Sequence, residues 1–426
     1  MTGTPNGSIG APRGVANPDY LRECVHCGFC LSACPTYLEL GTEMDSPRGR
    51  IHLVRALEDG TLALDGDVVR HLDLCLGCQA CESACPSGVR YGRIFEQARA
   101  YVTRRAARPW HERVRRRALL AIFPYRRRLR ALLALVGVAR ALGLWQVLAR
   151  WMDAAALLPS ECEPKPLAAY YPARGAETLR VALHSGCVTG ELFSEVNAAA
   201  VRVLTRYGAS VAVPPGQGCC GALHLHNGDP DTARALARRN IDAFTPEVDV
   251  IVTAAAGCGS TLKGYGHLLE DDPAYAERAR RFGAAVRDVT EVIAAGTADP
   301  PPACAPQRVT YQDACHLAHA QGIRAQPREL LARVPGLELV ELAESEVCCG
   351  SAGSYNLTEP EMARRLRERK IDRIAATGAS CVAAANAGCA LQIRAGLAAR
   401  GLRVRVLHPI ELLDEAYEQS PRGDRA

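Results

Sequence analysis

CVHCGFCLSACP (residues 24–35) and CLGCQACESACP (residues 75–86) repeat one spacing of cysteines near the beginning of the chain. Each stretch has the form C-x2-C-x2-C-x3-C-P. Three cysteines are close enough for one tight loop, and a fourth leaves the loop just before a proline, whose fixed φ turns the chain away. Gly28 and Gly77 lie inside the loops, where the backbone has to pass close to whatever the thiols hold. The repetition predicts two metal-binding loops of the same kind.

This spacing is typical of iron–sulfur clusters. Thiolates are soft ligands that match iron and sulfide, and in two-cluster ferredoxins the fourth cysteine of such a run binds the other cluster. We therefore expect two [4Fe–4S] clusters with crossed ligands. The expected ligands, called here the cluster-1 and cluster-2 thiols, are Cys24, Cys27, Cys30 and Cys85 for cluster 1, and Cys75, Cys78, Cys81 and Cys34 for cluster 2.

Two other uses of cysteine fit the sequence less well. Zinc sites usually combine two C-x2-C pairs, so the third cysteine and the C-P ending are superfluous for zinc. Disulfides are rare in the reducing cytosol, and the total of 19 cysteines is odd. Residues 1–20 are polar and lack the basic and apolar regions of a signal peptide. We expect a cytoplasmic protein whose thiols are reduced.

Size and composition limit the possible classes of protein. A chain of 426 residues has room for two or three domains at roughly 150 residues each, and 48% of its residues are apolar. Only 5% are aromatic and the net charge is +5, which argues against a nucleic-acid binder that stacks bases. We expect no nucleic-acid partner.

Helical spacing of apolar residues follows Pro47 and Pro86, so the cysteine runs are expected to lie in a helical type of ferredoxin module. The apolar positions are Ile51, Leu53, Val54 and Leu57 in the first segment, and Val89, Ile94, Ala98 and Val102 in the second. SPRGR (residues 46–50) is typical of a helix start with proline in its first turn. A basic docking or cluster-tuning role is the alternative for this motif.

Positive charge is concentrated in the middle of the chain, where residues 104–150 contain thirteen arginines and one glutamate. Apolar residues at helical spacing, broken by Pro124, predict two amphipathic helices with arginine faces. These helices either form a linker packed on neighbouring domains or make a peripheral membrane contact through residues 109–151, on the cytoplasmic face of the inner membrane. The apolar run at 131–139 is too short to span a bilayer.

A second repeat occupies the rest of the chain. Cysteine landmarks recur at offsets of 128, 129 and 131 residues, each set containing a CCG tripeptide, which indicates two copies of one unit. We call these copies the first and second CCG units. Their cysteines, called here the first and second thiol groups, are Cys187, Cys219, Cys220 and Cys258, and then Cys315, Cys348, Cys349 and Cys389.

Strand and helix patterns alternate within each unit, which predicts parallel α/β sheets with ligand-bearing loops at the strand ends. The expected strands are 180–186, 209–216, 248–256, 308–314, 337–344 and 379–387, with helices at 191–207 and 230–245. The whole chain is expected to be an α+β multidomain protein. Its expected segments are a flexible N-terminus (1–20), the ferredoxin module (21–105), the arginine-rich helices and Pro-rich linker (106–175), the two CCG units (176–300 and 301–418) and a polar tail (419–426).

The CCG cysteines have several possible roles. Two matching groups of four favour further metal or cluster ligation, while thiol redox chemistry and burial as small apolar side chains remain alternatives. Cys381 lies in an apolar strand and fits the structural alternative, as does Cys304; Cys162 has no assigned role. The neighbouring histidines could ligate metal, move protons or simply fill polar positions; they are His224, His226, His316 and His319.

With both cysteine runs and both CCG units in view, the chain resembles the iron–sulfur subunits of glycolate oxidase (glycolate dehydrogenase). The resemblance rests on CPSGVRYG (85–92), GCCGALHLHNGD (218–229) and EVCCGSAGSYNLTEPEMARRLRERK (346–370). More distant relatives include the catalytic subunit of heterodisulfide reductase, in which CCG motifs end in C-x2-C and hold unusual iron–sulfur clusters. Here Ala255 and Asn386 stand where that fifth cysteine would be, so each unit offers four thiols.

The resemblance implies a complex in which separate FAD-containing subunits oxidise glycolate to glyoxylate. This chain would pass the electrons to a quinone or another membrane acceptor. The alternatives are the same role in a lactate or glycerol-3-phosphate dehydrogenase complex, a catalytic subunit like that of heterodisulfide reductase, and a zinc-stabilised scaffold. The chain has no glycine fingerprint for a dinucleotide and no P-loop, which agrees with a flavin on another chain.

Overall fold

The computed structural model describes residues 14–145, 164–244, 248–302 and 306–418. Its first part is helical, and the two cysteine runs form loops between the helices. The helices are α1 (Pro18–Arg22), α2 (Pro35–Leu40), α3 (Pro47–Glu58), α4 (Gly66–Asp73), α5 (Ala80–Ser83) and α6 (Tyr91–Arg105), with a 3-10 turn at Glu43–Asp45. The predicted helical ferredoxin module is confirmed.

Proline sets the start of three of these helices. It stands in the first turn of α1, α2 and α3, where the missing N–H has no partner to lose. Residues 14–20, assigned to a flexible terminus from the sequence, are packed on this region instead. Val15 is buried, and its amide and that of Ala16 donate to the Glu58 carboxylate.

Two helices carry the arginine-rich segment, α7 (Trp110–Ile122) and α8 (Arg126–Ala141), and they separate at Pro124 as predicted. Their arginines bind buried acids elsewhere in the chain. Arg108 and Arg116 reach Asp73 at the end of α4. Arg126 and Arg130 both bind Glu191, which is 1% exposed. Much of the local positive charge therefore fastens α7 and α8 to the body of the protein.

Each CCG unit is a layer of helices around a mainly parallel sheet. The first unit contains β1 (Tyr170–Tyr171), β2 (Leu179–Leu183), α9 (Val188–Leu192), α10 (Ser194–Arg206), β3 (Ala209–Ala212), α11 (Ala222–His226), α12 (Pro230–Ala243), β4 (Val250–Thr253), α13 (Ala256–Lys263), α14 (Tyr265–Leu268), α15 (Ala276–Ala285), β5 (Val286–Asp288) and α16 (Val289–Ala295). The helix expected over 191–207 is divided at Phe193.

The second unit follows the same plan. It contains β6 (Gln307–Gln312), α17 (Cys315–Ala318), α18 (Ala325–Ala332), β7 (Leu337–Val340), α19 (Tyr355–Thr358), α20 (Pro360–Ala376), β8 (Cys381–Ala384), α21 (Ala387–Ala399), β9 (Arg405–Leu407) and α22 (Pro409–Glu418). All six strands expected from the sequence are present, and most end earlier than predicted.

Strand order is the same in the two sheets. The first sheet runs β1-β3-β2-β4-β5 and the second β7-β6-β8-β9; among the described strands, β1 is the antiparallel one. Apart from β1 at the edge of the first sheet, the chain in both units starts at an inner strand, moves to one side and then crosses to the other. The switch point therefore lies between β2 and β4, and between β6 and β8, where parallel α/β sheets usually hold their ligands.

The modules are packed into one body. A single apolar cluster includes residues of both CCG units, such as Val181 and Val382. A separate cluster joins the second cysteine loop to the second CCG unit, with Leu76 and Cys78 against Cys348 and Leu366. In the described part of the chain, no helix is both long enough and apolar enough to cross a membrane.

Candidate iron–sulfur site

The four cluster-1 thiols line one cavity that opens to solvent. Three of them lie on the loop between α1 and α2, and Cys85 reaches the cavity from the turn after α5. Cys27 is exposed and the other three are half-buried. The fourth cysteine of the second run therefore lies beside the loop of the first run.

The four cluster-2 thiols line a second cavity. Three lie on the second loop, while Cys34 comes from the start of α2, and all four are buried. Pro47, Cys81 and Tyr91 line both cavities. The two cavities are therefore neighbours that share these side chains as a wall.

Left-handed residues shape both loops in the same way. The second and fourth residues after the first cysteine have positive φ: His26 (56°) and Gly28 (90°), then Gly77 (65°) and Gln79 (60°). Such alternation curls the backbone and points its amides inward, as in nests that bind anions and iron–sulfur centres. Strain at His26 and Gln79 is the kind that functional sites retain.

The donors in these cavities suit an iron–sulfur cube better than one ion. Within the described ranges, no three His, Cys, Asp or Glu side chains are placed to hold a single metal ion. Instead, thiols line both cavities: the cluster-1 set together with Cys81 in the first, and the cluster-2 set in the second. Every described cysteine is a free thiol. Several soft sulfur donors around one space match a [4Fe–4S] cluster.

Hydrogen-bond donors converge on the cluster-2 thiols. Tyr91 Oη and the Gly77 amide lie 3.4 Å from Cys75 Sγ. Thr36 Oγ1 lies 3.3 Å from Cys34 Sγ, and its own hydroxyl donates to the Asp45 carbonyl oxygen (2.7 Å). Donors of this kind stabilise negative charge on sulfur and so tune the potential of whatever the sulfur binds.

SPRGR combines the two roles that the sequence left open. Ser46 accepts from the Gly49 amide (3.0 Å) as the N-cap of α3, with Pro47 next to it. Arg50, 2% exposed, donates from Nη1 to Thr36 Oγ1 (3.0 Å) and places that nitrogen 4.0 Å from Cys34 Sγ. Burial alone would lower the pKa of Arg50, but Cys75, Tyr91 and other neighbours raise it, so the guanidinium stays charged.

The first thiol group gathers at the switch point of its sheet. Cys187 follows β2, Cys258 lies in the first turn of α13 after β4, and the adjacent pair comes from the loop after β3. Cys187 Sγ lies 3.5 Å from Cys219 Sγ, and hydrogen bonds continue from Cys219 to Cys220 and on to Cys258. The predicted gathering of these cysteines is therefore present, with thiols in direct mutual contact.

The second thiol group repeats this arrangement. Hydrogen bonds link Cys315 to Cys348, Cys348 to Cys349, and Cys349 to Cys389. After each cysteine pair, Gly221 and Gly350 have positive φ; a Cβ at position 350 would lie 2.7 Å from the Ala363 carbonyl oxygen. The fixed glycine holds the pair close to the N-terminal part of the next helix.

Most thiols with a resolved shift hold their protons strongly. Hydrogen bonding between thiols, followed by burial, raises the pKa of Cys187, Cys348 and Cys389 well above the ordinary value. Burial likewise raises the pKa of Cys78 and Cys81. Because metal binds the thiolate, ligation by these residues releases protons.

The second thiol group lies beside the cluster-2 loop. Cys78 interacts electrostatically with Cys315, and Nε2 of His316 donates to the carbonyl oxygen of Gly77 (3.0 Å). Tyr355 Oη donates to the Leu74 carbonyl oxygen (2.9 Å) from the same unit. The fold thus brings one CCG unit, through its cysteines, against the ferredoxin module.

The other expected polar residues have mixed environments. His224 pairs with Asp229 and His319 with Ser83. His226 and His316 meet edge to face with ring centroids 5.2 Å apart. Burial lowers the pKa of His226 to about 3, so it is neutral.

The remaining cysteines are Cys381, Cys162 and Cys304. Cys381 is fully buried in the apolar core, as the structural reading expects. Cys162 and Cys304 lie outside the described residues.

Several residues that contact the thiols or their loops are not cysteines, and the cysteine spacing does not predict them. They are Arg50, Thr36, Tyr91, Tyr355, Lys370 and Asn386. Tyr91 belongs to CPSGVRYG and Arg50 to SPRGR, and Tyr355 and Lys370 belong to the quoted stretch 346–370. The sequence singles out these stretches, but the contacts of the side chains become visible only in the structure.

Comparison with known families agrees with this geometry. The model of the 4Fe-4S dicluster domain family matches residues 20–89. The model of the cysteine-rich domain family, CCG, matches residues 181–263 and 309–394. The chain is thus an iron–sulfur protein with a dicluster ferredoxin module and two CCG repeats.

Relatives that align over nearly the whole length decide the family. The chain is 40% identical to the probable glycolate oxidase iron-sulfur subunit of Bacillus subtilis (strain 168), covering 93% of this chain and 94% of the relative. It is 36% identical to the glycolate oxidase iron-sulfur subunit of Escherichia coli (strain K12), covering 96% and 97%. The chain belongs to the family of glycolate oxidase iron–sulfur subunits.

Other members of the wider group match less of the chain. Lactate utilization protein A of Exiguobacterium sp. (strain ATCC BAA-1283 / AT1b) is 32% identical over 56% of this chain and 99% of its own length. A crystal structure of a hypothetical protein from Helicobacter pylori aligns with a TM-score of 0.51 at 11% identity, covering 88% of this chain and 68% of that one. This second likeness concerns the fold alone.

Proposed function

We propose that this chain carries electrons in a glycolate-oxidising complex, from flavin subunits that convert glycolate to glyoxylate toward a quinone or another membrane acceptor. The observation that carries the proposal is the pair of neighbouring cavities: three thiols of each loop line one cavity together with the last cysteine of the other run, and Cys81 lies in the wall that the two cavities share. Bound clusters would accept electrons one at a time, so that a flavin carrying two electrons would pass them on singly. The eight thiols defined above are the proposed ligands.

Exposure gives the two cavities different roles. The cluster-1 cavity opens to solvent, and two apolar residues beside Cys27 are largely exposed, Val25 and Phe29, each at 67%. The cluster-2 thiols are buried. We propose that the flavin subunit docks at the first loop, because a partner can approach the reducible centre most closely there.

Residues around the second cavity favour the reduced state there. Buried Arg50 and the hydroxyls of Thr36 and Tyr91 all face cluster-2 sulfurs. Positive charge and hydrogen bonds stabilise the extra electron, so the potential should rise from the first cavity to the second. The chain's own side chains thereby set the direction of transfer inward.

We further propose that the two thiol groups hold additional clusters. Four soft donors stand together at each switch point, and the second group is adjacent to Cys78. The mutual thiol contacts require the side chains to move apart when a cluster is assembled. The spatial order is then cluster-1 thiols, cluster-2 thiols, second thiol group and first thiol group.

The outer face of α8 is the proposed contact with the membrane. Leu135 and Val138 are exposed at 68% and 57%, among arginines that suit an anionic lipid surface. Binding to vesicles containing anionic lipid, weakened in a Leu135→Ser/Val138→Ser variant, supports this contact. Equal sedimentation of both proteins with these vesicles contradicts it. Trp145 ends the described part of this segment.

The first experiment measures composition. After anaerobic purification, two clusters correspond to about eight irons and eight sulfides per chain, with paired EPR signals on reduction. More iron supports clusters in the CCG units. A colourless chain with zinc and without acid-labile sulfide contradicts the proposal and favours a zinc scaffold.

The second experiment tests the donor. Glycolate is added anaerobically to the chain alone and to the chain co-purified with the proposed flavin subunits, and the EPR signals are recorded. We expect reduction only with the flavin subunits present. Stronger reduction by lactate or glycerol-3-phosphate favours the alternative complexes. Reduction of a heterodisulfide by the chain alone favours a catalytic subunit.

A further inference from the structure

The two thiol groups occupy corresponding places in two copies of one fold, so residues that differ at matched positions show how the groups differ. The helices that follow the cysteine pairs align from Pro230 with Pro360, which places Asn240 opposite Lys370. The segments before Cys258 and Cys389 align Ala255 with Asn386. The first difference replaces a neutral amide by a cation in the second unit, and the second difference adds a polar side chain there.

Lys370 brings a positive charge to the second thiol group. It is 2% exposed, and its ammonium interacts electrostatically with Cys348, Cys349 and Cys389. Nζ donates to the carbonyl oxygens of Glu344 and Ser345, in the loop that leads to the cysteine pair. These two bonds fix the ammonium in place.

Asn240 fills the matching position of the first unit with a neutral amide. Its Nδ2 donates to the carbonyl oxygen of Cys219 (3.0 Å) and to Tyr265 Oη (2.9 Å), and its Oδ1 accepts from the Gly218 amide (2.8 Å). This amide supports the backbone of the cysteine loop, and it brings no charge to the sulfurs.

Asn386 connects the two groups. Its Nδ2 lies 3.6 Å from Cys389 Sγ, within hydrogen-bond range of sulfur, and its Oδ1 accepts from the amide of Gly257, next to Cys258 (3.3 Å). The neighbouring Ala256 amide donates to the Ala385 carbonyl oxygen (3.2 Å). At the corresponding position, Ala255 has no side-chain donor to offer its sulfur.

We propose that Lys370 and Asn386 raise the reduction potential of a cluster at the second thiol group above that of a cluster at the first group. The second group then accepts the electron that leaves the cluster-2 thiols. This inference rests on the proposed function, because it requires clusters in the CCG units. In the step, the cluster-2 centre loses one electron, the second group gains it, and no proton or bond is exchanged.

The physical reason is charge. Reduction adds one negative charge to a centre already surrounded by thiolates, and a fixed ammonium together with an N–H donor stabilises that charge in a buried, low-dielectric place. The second group is also the one adjacent to Cys78. The second thiol group is therefore both the one nearer to the cluster-2 thiols and the one with the higher proposed reduction potential.

The test is an anaerobic EPR redox titration of the holoprotein carrying Lys370→Asn, which gives the second unit the residue of the first. We expect one CCG-unit signal to shift to lower potential by about 59 mV or more, a tenfold change for one electron. Asn386→Ala, matched to Ala255, should shift the same signal in the same direction. Arg373→Asn is the control, because it removes an exposed cation of the same helix that pairs with half-buried Glu344.

The outcomes separate this inference from the function. Unchanged CCG potentials in both variants, with full iron content, overturn the inference and leave the electron-transfer function intact. A wild-type chain with only about eight irons overturns the inference together with the proposed clusters in the CCG units, and it leaves the electron-transfer role of the ferredoxin pair intact. Absence of the ferredoxin signals overturns the proposed function itself. Should Lys370→Asn fail to assemble, Asn386→Ala decides.

Discussion

Single residues in the cysteine loops hold conformations that most side chains avoid. Gly77 has φ of 65°, and a Cβ there would lie 2.8 Å from the Phe95 ring. Gly41 has nearly the same φ, 66°, but a Cβ there meets open space. Gly41 and Gly77 have nearly the same left-handed φ, but a Cβ would meet a close neighbour at Gly77 only. Comparing the two positions therefore separates backbone strain from close packing.

We expect Gly77→Ala to disturb the cluster-2 loop. Left-handed φ costs alanine about 1 kcal/mol, and the contact with Phe95 must in addition push the loop or the ring aside. Gly41→Ala has the strain without the contact. EPR spin counts of the purified variants should fall for the cluster-2 signal in Gly77→Ala only. An equal loss of the cluster-2 signal in both variants would show that backbone strain causes the loss, and that the contact with Phe95 does not.

The sequence alone predicts which thiols line the cavities, but it does not predict which hydrogen-bond donors surround them. Cysteine spacing is enough to predict which thiols line each cavity, because ligand spacing is local. Arg50 reaches Cys34 only through tertiary packing of α3 on α2, and Asn386 reaches Gly257 across two units. No local pattern encodes contacts between segments so far apart.

At the scale of elements, buried charge pairs hold the arginine-rich helices. Asp73 is 5% exposed and meets Arg99, Arg108 and Arg116. Burial alone would raise the pKa of Asp73, but these three guanidinium groups lower it overall, so the carboxyl is ionised. Removing it takes a shared carboxylate from three buried cations, although Arg108 keeps Glu112 and Arg116 keeps Glu359 as a partner.

Asp73→Ala should therefore destabilise the attachment of α7 by about 3–5 kcal/mol, the usual cost of breaking a buried ion pair. Limited proteolysis should cut the arginine-rich segment faster, and the thermal midpoint should fall. Asp249→Ala removes an exposed partner of Arg180 and should change little. Similar behaviour of both variants would contradict a structural role for the arginine cluster.

His408 gives the second CCG unit a pH-dependent stability. Its Nδ1 accepts from the Ile410 amide (3.1 Å) at the start of α22, and burial lowers its pKa to about 3. The unfolded chain binds a proton near pH 6.5 and the folded one does not, so stability is full above pH 6.5 and falls toward pH 3. One such group contributes about 1 kcal/mol between pH 6.5 and 5.5.

We expect His408→Asn to keep the cap and lose this dependence. Thermal midpoints of wild type and variant are measured anaerobically at pH 7.5 and pH 5.5. The wild type should exceed the variant by more degrees at pH 7.5 than at pH 5.5. A difference that is the same at both pH values would show that His408 does not titrate as described.

Elements were easier to predict when they carried a strong period. Apolar runs in the sequence predict β2, β3, β4, β6, β7 and β8. They do not predict β1, β5 and β9. These strands have two or three residues each, too few to show alternation. They add to sheets that the inner strands already define, so tertiary pairing determines them.

For the whole molecule, the two repeats and the ferredoxin module form one path of sulfur groups. The order runs from an exposed loop, through a buried cavity, to two thiol groups at the switch points of the sheets. Internal repetition made this architecture predictable from the sequence. The relative placement of the modules was not predictable, because it depends on contacts such as His316 with Gly77.

Crossed ligation is the central claim, and Cys85→Ser tests it most directly. EPR spectra of reduced, anaerobic Cys85→Ser are compared with those of Cys27→Ser and Cys75→Ser, with Cys381→Ser as the control for a buried cysteine outside the cavities. The account predicts that Cys85→Ser loses or alters the same signal as Cys27→Ser, although position 85 belongs to the second run. Loss of the Cys75→Ser signal instead, with the Cys27 signal intact, would contradict it.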